Sequence, residues 1–252
     1  MKSVITSPFK FLDSYTVDDR AFFFGREKEI DKLYNMVFST NLLLIYGPSG
    51  AGKTSLIQCG LASRFEDTDW HDIHVRWRGD INVSMKQVLK KHAIAELSEE
   101  ATAVEMIQSI YLDHFKPLFL VFDQFEELYI LGSEPERELF IDTISKLLEL
   151  DIPLKIIFSM REEYIARLYD FEQKVPNLFK NRFRIDPMDQ ETVASVIRGL
   201  ADHFDITLEN EEVTIEKIID NISSSGHIQL SYLQVYLDYL YVERQKISTT
   251  DG

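Results

Sequence analysis

Three short, nearly unbroken apolar runs punctuate the chain: Leu42 to Tyr46, Leu118 to Phe122, and Leu154 to Ser159. Each has the length of a buried strand rather than of a helix. Ile73 to Trp77 alternates weakly, with His74 and Arg76 on its polar side, and predicts an edge or half-exposed strand; Arg182 to Ile185 predicts a short last one. Helical periodicity fills the gaps. Ile30, Leu33, Tyr34, Val37 and Phe38 share one face before the first strand, and Met85, Val88, Leu89 and His92 mark a second helix. Val104, Ile107 and Tyr111 mark a third; Leu139, Phe140, Ile144, Leu147 and Leu148 mark another, opened by the capping-box spacing of Ser133 and Glu136. Strands alternating with helices predict an α/β fold, a parallel sheet covered by helices on both faces. After Pro187 no strand pattern remains. Three amphipathic helices follow, over Val193 to Phe204, Ile215 to Ile222 and Leu230 to Tyr241, with a break at Ser223-Ser224-Ser225-Gly226 before the last. The chain is thus expected to divide into a core with an N-terminal entry segment, 1–186, and a helical lid with the start of a connector, 187–252. In the entry segment Phe9, Phe11 and Leu12 are candidates to tuck against the body.

The first apolar run leads straight into Gly47-Pro48-Ser49-Gly50-Ala51-Gly52-Lys53-Thr54, a complete GxxxxGK[ST] loop, with Ser55 and Leu56 continuing into a helix. Strand, glycine-rich loop and helix stand in the order a phosphate cradle needs. The glycines let successive N–H groups point inward, and the helix N-terminus adds free N–H groups and its positive dipole end. Lys53 is placed to bridge β- and γ-phosphates, and the Thr54 hydroxyl to ligate Mg²⁺.

A carboxylate at the end of the Leu118 strand, Asp123, would lie beside such a loop in a parallel sheet and hold Mg²⁺. Three or four residues on, Glu126 or Glu127 would orient the attacking water. Arg161, at the end of the third apolar run, faces two readings: a cation that touches the γ-phosphate, or an ion pair with Glu162, Glu163 or a carboxylate across the cleft. Arg182 and Arg184 either reach a neighbouring subunit's nucleotide or pair internally.

Acidic residues outnumber basic ones 42 to 27, a formal charge of -15. That works against direct binding of nucleic acid or anionic membrane. The single cysteine, Cys59, excludes an internal disulfide and reads as a packing residue. The apolar runs are too short to span a bilayer and there is no signal-peptide core, so the expected location is cytoplasmic. His71 and His74 flank Asp72 without a second ligand pair, which argues against a structural metal.

Phe24-Gly25-Arg26-Glu27, GPSGAGKTSL, DQFEEL and a strand ending in FSMR, in this order and spacing, resemble the STAND class of P-loop NTPases, in particular its bacterial novel STAND branch. The resemblance covers residues 8 to 245. It implies a five-stranded sheet of order 5-1-4-3-2 and a helical lid from 187 to about 228. It implies that Phe24, Gly25 and Arg26 line the adenine end and that Gly47 to Ser55 with Lys53 hold the phosphates. Thr54 and Asp123 would hold Mg²⁺, Glu126 or Glu127 the catalytic water, and Arg161 would act as sensor. Relatives place a proline near the end of the lid; here Ser231 stands in that region. Effector and sensor domains are expected to be absent from this chain. The implied function is an ATP/ADP switch with slow hydrolysis that self-associates on ATP binding, in bacterial signalling or antiphage defence. An AAA+-like remodeller working as a ring, with Arg182 acting between subunits, and a non-hydrolysing nucleotide-stabilised scaffold are the alternatives. The lack of a guanine-reading NKxD tetrad points to adenine.

Overall fold

The computed structural model describes residues 7–66, 68–176, 178–224 and 227–250. The chain forms two compact units, one of Asp31–Pro48 and Arg64–Ile185, the other of Met1–Ile30, Ser49–Ser63 and Asp186–Gly252. The first is built on a sheet and the second on helices.

In chain order the elements are α1 (Glu27–Ser39), β1 (Leu42–Gly47), α2 (Lys53–Ser55), β2 (His71–Val75), α3 (Ile81–His92), α4 (Ala103–His114), β3 (Leu118–Phe122), α5 (Glu126–Ile130) and α6 (Glu134–Leu148). Then come β4 (Leu154–Arg161), α7 (Tyr169–Lys174), β5 (Arg182–Arg184), α8 (Gln190–His203), α9 (Glu211–Ile222), β6 (Ser223–Ser224), β7 (His227–Ile228) and α10 (Leu230–Thr250). Strands β1 to β5 are all parallel and lie in the order β2-β3-β4-β1-β5, the 5-1-4-3-2 order expected.

Side chains alternate across a strand, and that alternation divides the sheet cleanly. Leu42 and Leu44 of β1, Ile73 and Val75 of β2, Leu118, Leu120 and Phe122 of β3, and Ile156, Phe158 and Met160 of β4 join one buried cluster, which α3, α4, α6 and α7 cover. The Phe122 and Phe158 rings stack at 5.2 Å, with Phe140 of α6 edge-on to Phe122 at 5.0 Å. On the opposite face Phe119 meets Trp70 and Phe65, and Phe65 meets Tyr34 and Phe38 of α1. Helices therefore cover both faces. The Ser133 capping box opens α6 as expected, Ser133 Oγ accepting from Glu136 N and Glu136 Oε2 from Ser133 N.

β2 starts and ends two residues earlier than its alternation suggested. Register with β3, His71 opposite Leu118 through Val75 opposite Phe122, ends the ladder at Val75, and Trp77 leaves it to donate its indole N–H to Glu136 at 2.8 Å.

Behind the start of β2 the rings of His71, His92 and His114 pack together. His71 Nε2 lies 2.9 Å from His92 Nδ1, and the His71 and His114 rings stack at 4.1 Å. Burial, followed by the charges of His114 and His92, lowers the His71 pKa from its ordinary value to about 4. The folded protein therefore binds this proton more weakly than the unfolded chain. The stability contributed by neutral His71 is complete above about pH 6.5 and is lost as pH falls toward 4. Discounted for solvent screening it amounts to about 1–2 kcal/mol. Urea unfolding of His71→Gln should show a flatter dependence on pH between 6.5 and 4 than the parent; an unchanged slope would mean that other groups set it.

In the helical unit Val193, Val196, Ile197 and Leu200 of α8, Ile215, Ile218, Ile219 and Ile222 of α9, and Leu233 and Leu237 of α10 form a second core, joined by Phe9, Phe22 and Phe24. Asp189 caps α8 by accepting from Thr192 N at 2.7 Å. Phe9 tucks in as expected, but Phe11 and Leu12 are exposed. The strandless reading of the tail is also corrected: β6 and β7 form an antiparallel ladder, Ser223 opposite Ile228 and Ser224 opposite His227. Two residues per strand are too few for a period of two to register in the sequence. Ser225 and Gly226 of the expected break lie outside the described residues.

Candidate nucleotide site

In the sheet unit the phosphate-loop sequence begins where β1 ends. A Cβ on Gly47 would lie 2.4 Å from the Ile185 carbonyl oxygen, so only glycine lets β1 leave the sheet beside the end of β5. Register then aligns the ends of the other strands. Gly47 pairs with Arg161, Ile45 with Ser159, and Phe122 with Phe158. One step past their ladders, Arg76, Asp123 and Ser159 follow one another across β2, β3 and β4 on the face that the phenylalanine cluster does not occupy. Asp123 is 4% exposed, and Arg76 Nε and Nη2 both donate to its Oδ2, at 3.1 and 2.6 Å. Ser159 is buried and its Oγ has no hydrogen-bond partner among the described residues.

The two glutamates differ. Glu126 is 3% exposed; its Oε1 meets Arg161 Nε at 3.1 Å and its Oε2 accepts from Arg161 N at 3.2 Å. Of the two readings of Arg161, the ion pair is the contact present, with Glu126 as the carboxylate. Glu127 is half-buried, and burial, followed by the charge of Glu126, raises its pKa above the ordinary value. Arg184 pairs internally with Glu162 at 2.8 Å. Arg182 is exposed on β5 and borders a shallow cleft of about 400 Å³ with Ile165, Tyr169 and Phe179.

In the helical unit the loop continues from Ser49 into α2. Gly50 and Gly52 have φ of +74° and +84°, the left-handed region that L side chains avoid, and this curls the loop ahead of Lys53. Lys53 and Thr54 stand in the first turn of α2, both half-buried. α2 runs on as a π-helical stretch, Leu56–Leu61. Ser55 Oγ accepts from Tyr15 N at 3.1 Å, which ties the entry segment to this helix. Arg26 is buried, and its Nη2 donates to the carbonyls of Ala51 and Asp186, each at 3.0 Å. Gly25 rests on Val196, Thr192 and Met188 of the segment around α8, and Phe24 covers Gly199. The Phe24-Gly25-Arg26 triplet and the phosphate loop are thus brought together. Cys59 is buried, and desolvation pushes its thiol up to about 12, as befits a packing residue.

A family model described as novel STAND NTPase 1 matches residues 8–251. The chain belongs to this family. No curated protein matches it in sequence. Among solved structures it is similar to the Walker-type ATPase PABY2304 of Pyrococcus abyssi, with 18% identity and a TM-score of 0.64 over 92% of this chain and 73% of that one. It is also similar to the ORC2 protein of Aeropyrum pernix, with 12% identity and a TM-score of 0.66 over 88% and 64%, and to Cdc6p of Pyrobaculum aerophilum, with 14% identity and a TM-score of 0.63 over 93% and 68%. At these identities the likeness is one of fold, that of the P-loop ATPases. The chain spans 64% to 73% of the length of these three structures.

Three features of this novel STAND NTPase are not visible in the sequence. Arg76 looked like a solvated edge-strand residue; its register with Asp123 is visible only once β2 and β3 are aligned. Ser159 lay inside FSMR but drew no role. Ser231, in the region where relatives place a proline, approaches the phosphate loop: a Cβ on Gly50 would lie 3.3 Å from Ser231 Oγ, and one on Gly52 would lie 3.9 Å from Leu230 Cδ1.

Proposed function

We propose that this protein is an ATP-binding switch that hydrolyses ATP slowly, with ADP and ATP exchange governing opening and self-association. The observation that carries the reading is the pairing of both motif carboxylates with arginines, Asp123 with Arg76 and Glu126 with Arg161. A buried carboxylate held this way is neutralised, and the Arg76 contact must be exchanged before Asp123 can serve a metal. Such an exchange is a differential contact between two nucleotide states, which is what moves a switch.

The residues fit the groups they would hold. The left-handed glycines curl the loop as an anion cradle does, and the buried Ser159 hydroxyl in the Asp123 row, without a hydrogen-bond partner among the described residues, is a polar atom that can serve one. Asp123 and Thr54 each carry an oxygen donor of the kind a hard divalent cation takes, and Lys53 carries a positive charge suited to phosphate. Mg²⁺ bound with the nucleotide would neutralise charge on the β- and γ-phosphates. Of the two glutamates, Glu127 is assigned the base. Its raised pKa and half-exposed position suit proton transfer from water as that water attacks the γ-phosphorus and the bond to ADP breaks, whereas Glu126 is committed to Arg161. ADP and ADPNP are bound by the Aeropyrum pernix ORC2 protein, whose fold this chain shares. We set this switch in bacterial signalling or antiphage defence, acting in the cytoplasm, a reading that membership of the novel STAND family supports.

Denaturing the freshly purified protein and identifying released nucleotide by chromatography should yield near-stoichiometric ADP, the resting state of a switch with slow exchange. An empty protein would count against it and in favour of an AAA+-like remodeller, the second reading, which the exposure of Arg182 on edge strand β5 favours.

A further inference from the structure

We infer that Arg76 is a built-in counter-ion that occupies Asp123 in place of a divalent cation and has to withdraw for the cation to bind. The inference rests on the proposed reading of Asp123 as a metal ligand. Arg76 and Asp123 are the first residues past the last β2–β3 pair, Val75 with Phe122, and Asp123 N donates to the Val75 carbonyl at 3.1 Å. The backbone therefore sets the two side chains next to each other on one face. Two guanidinium nitrogens converge on the single oxygen Oδ2, at 3.1 and 2.6 Å, so a cation seeking that oxygen meets a charge that cannot be titrated away.

The partners are unequally placed. The Asp123 side chain is 4% exposed and that of Arg76 is 43% exposed. The carboxylate is shut off from water, whereas the arginine can return its head to solvent at small cost. What moves is the side chain, because the segment behind it is fastened. Glu136, buried in α6, accepts from Trp77 Nε1 at 2.8 Å and from Ile81 N at 2.7 Å, and Arg78 N donates to Ser84 Oγ at 3.0 Å. Arg76 thus stands on a fixed base with a mobile arm, able to neutralise Asp123 when the cation is absent and to leave when it arrives.

Titration of the full chain with Mn²⁺, followed by the loss of free Mn²⁺ signal in electron paramagnetic resonance, tests this without reference to turnover. Arg76→Gln and Arg76→Met both remove the charge and keep most of the stem, so either one that folds decides the matter. Each should bind Mn²⁺ about tenfold more tightly than the parent, and Mn²⁺ should raise its melting temperature more. Equal or weaker Mn²⁺ binding in these variants, with parent binding that Asp123→Asn abolishes, would overturn the role of Arg76 and leave Asp123 as the ligand. Parent binding that Asp123→Asn leaves unchanged would overturn the metal assignment and this inference with it.

Discussion

Lys53→Ala should all but abolish nucleotide binding, lowering the affinities for ATP and ADP together. Removing one partner of a desolvated charge pair costs about 2–5 kcal/mol, roughly a 30- to 5,000-fold loss of affinity. Both nucleotides carry the β-phosphate, so the loss is not confined to ATP. Lys53 opens α2 behind the curled glycines Gly50 and Gly52 and is half-buried, so its removal is expected to spare the fold. Titration with a fluorescent nucleotide, alongside circular dichroism of the variant, makes the measurement. Unchanged affinity in a folded variant would remove the phosphate loop from the site altogether.

The form of that loop was legible in the sequence because it is local. The glycines, Lys53 and Thr54 lie within eight consecutive residues, and the strand and helix around them announce themselves by period. The sheet order was legible only through the family resemblance. Apolar runs such as Leu118 to Phe122 identify strands but carry no information on which strand lies beside which. Pairings that depend on register were out of reach for the same reason. Arg76 and Asp123 are 47 positions apart and meet only because β2 and β3 end level. For Arg161 an ion pair, with Glu162, Glu163 or a carboxylate across the cleft, stood only as the alternative to a γ-phosphate contact, and nothing in DQFEEL distinguishes Glu126 from Glu127. The α5 backbone makes that distinction, burying Glu126 and leaving Glu127 half-exposed. Phe11 and Leu12 failed in the other direction. Hydrophobicity alone placed them inside, but about half of a folded protein's surface is apolar, and these two belong to it.

The distinction between the glutamates has a kinetic consequence. Glu127→Gln should retain ATP binding and lose hydrolysis by about 10²- to 10⁴-fold, the range that a positioned base contributes. The substitution keeps the shape and removes only the proton acceptor. Glu126→Gln should cost much less, because an amide oxygen can still accept from Arg161 N, although the charge that holds the Arg161 guanidinium is lost. The pH profile gives a second readout. A base works unprotonated, so parent single-turnover hydrolysis should rise with pH through the Glu127 pKa, which burial and the Glu126 charge set above the usual carboxylate value. That acid limb should vanish in Glu127→Gln and persist in Glu126→Gln at a lower pH, since the variant removes the neighbouring negative charge that helps raise it. Single-turnover measurements with excess protein separate the chemical step from product release. A large loss in Glu126→Gln with an intact acid limb in Glu127→Gln would reverse the assignment. If neither variant slows turnover, the base lies outside the DQFEEL motif.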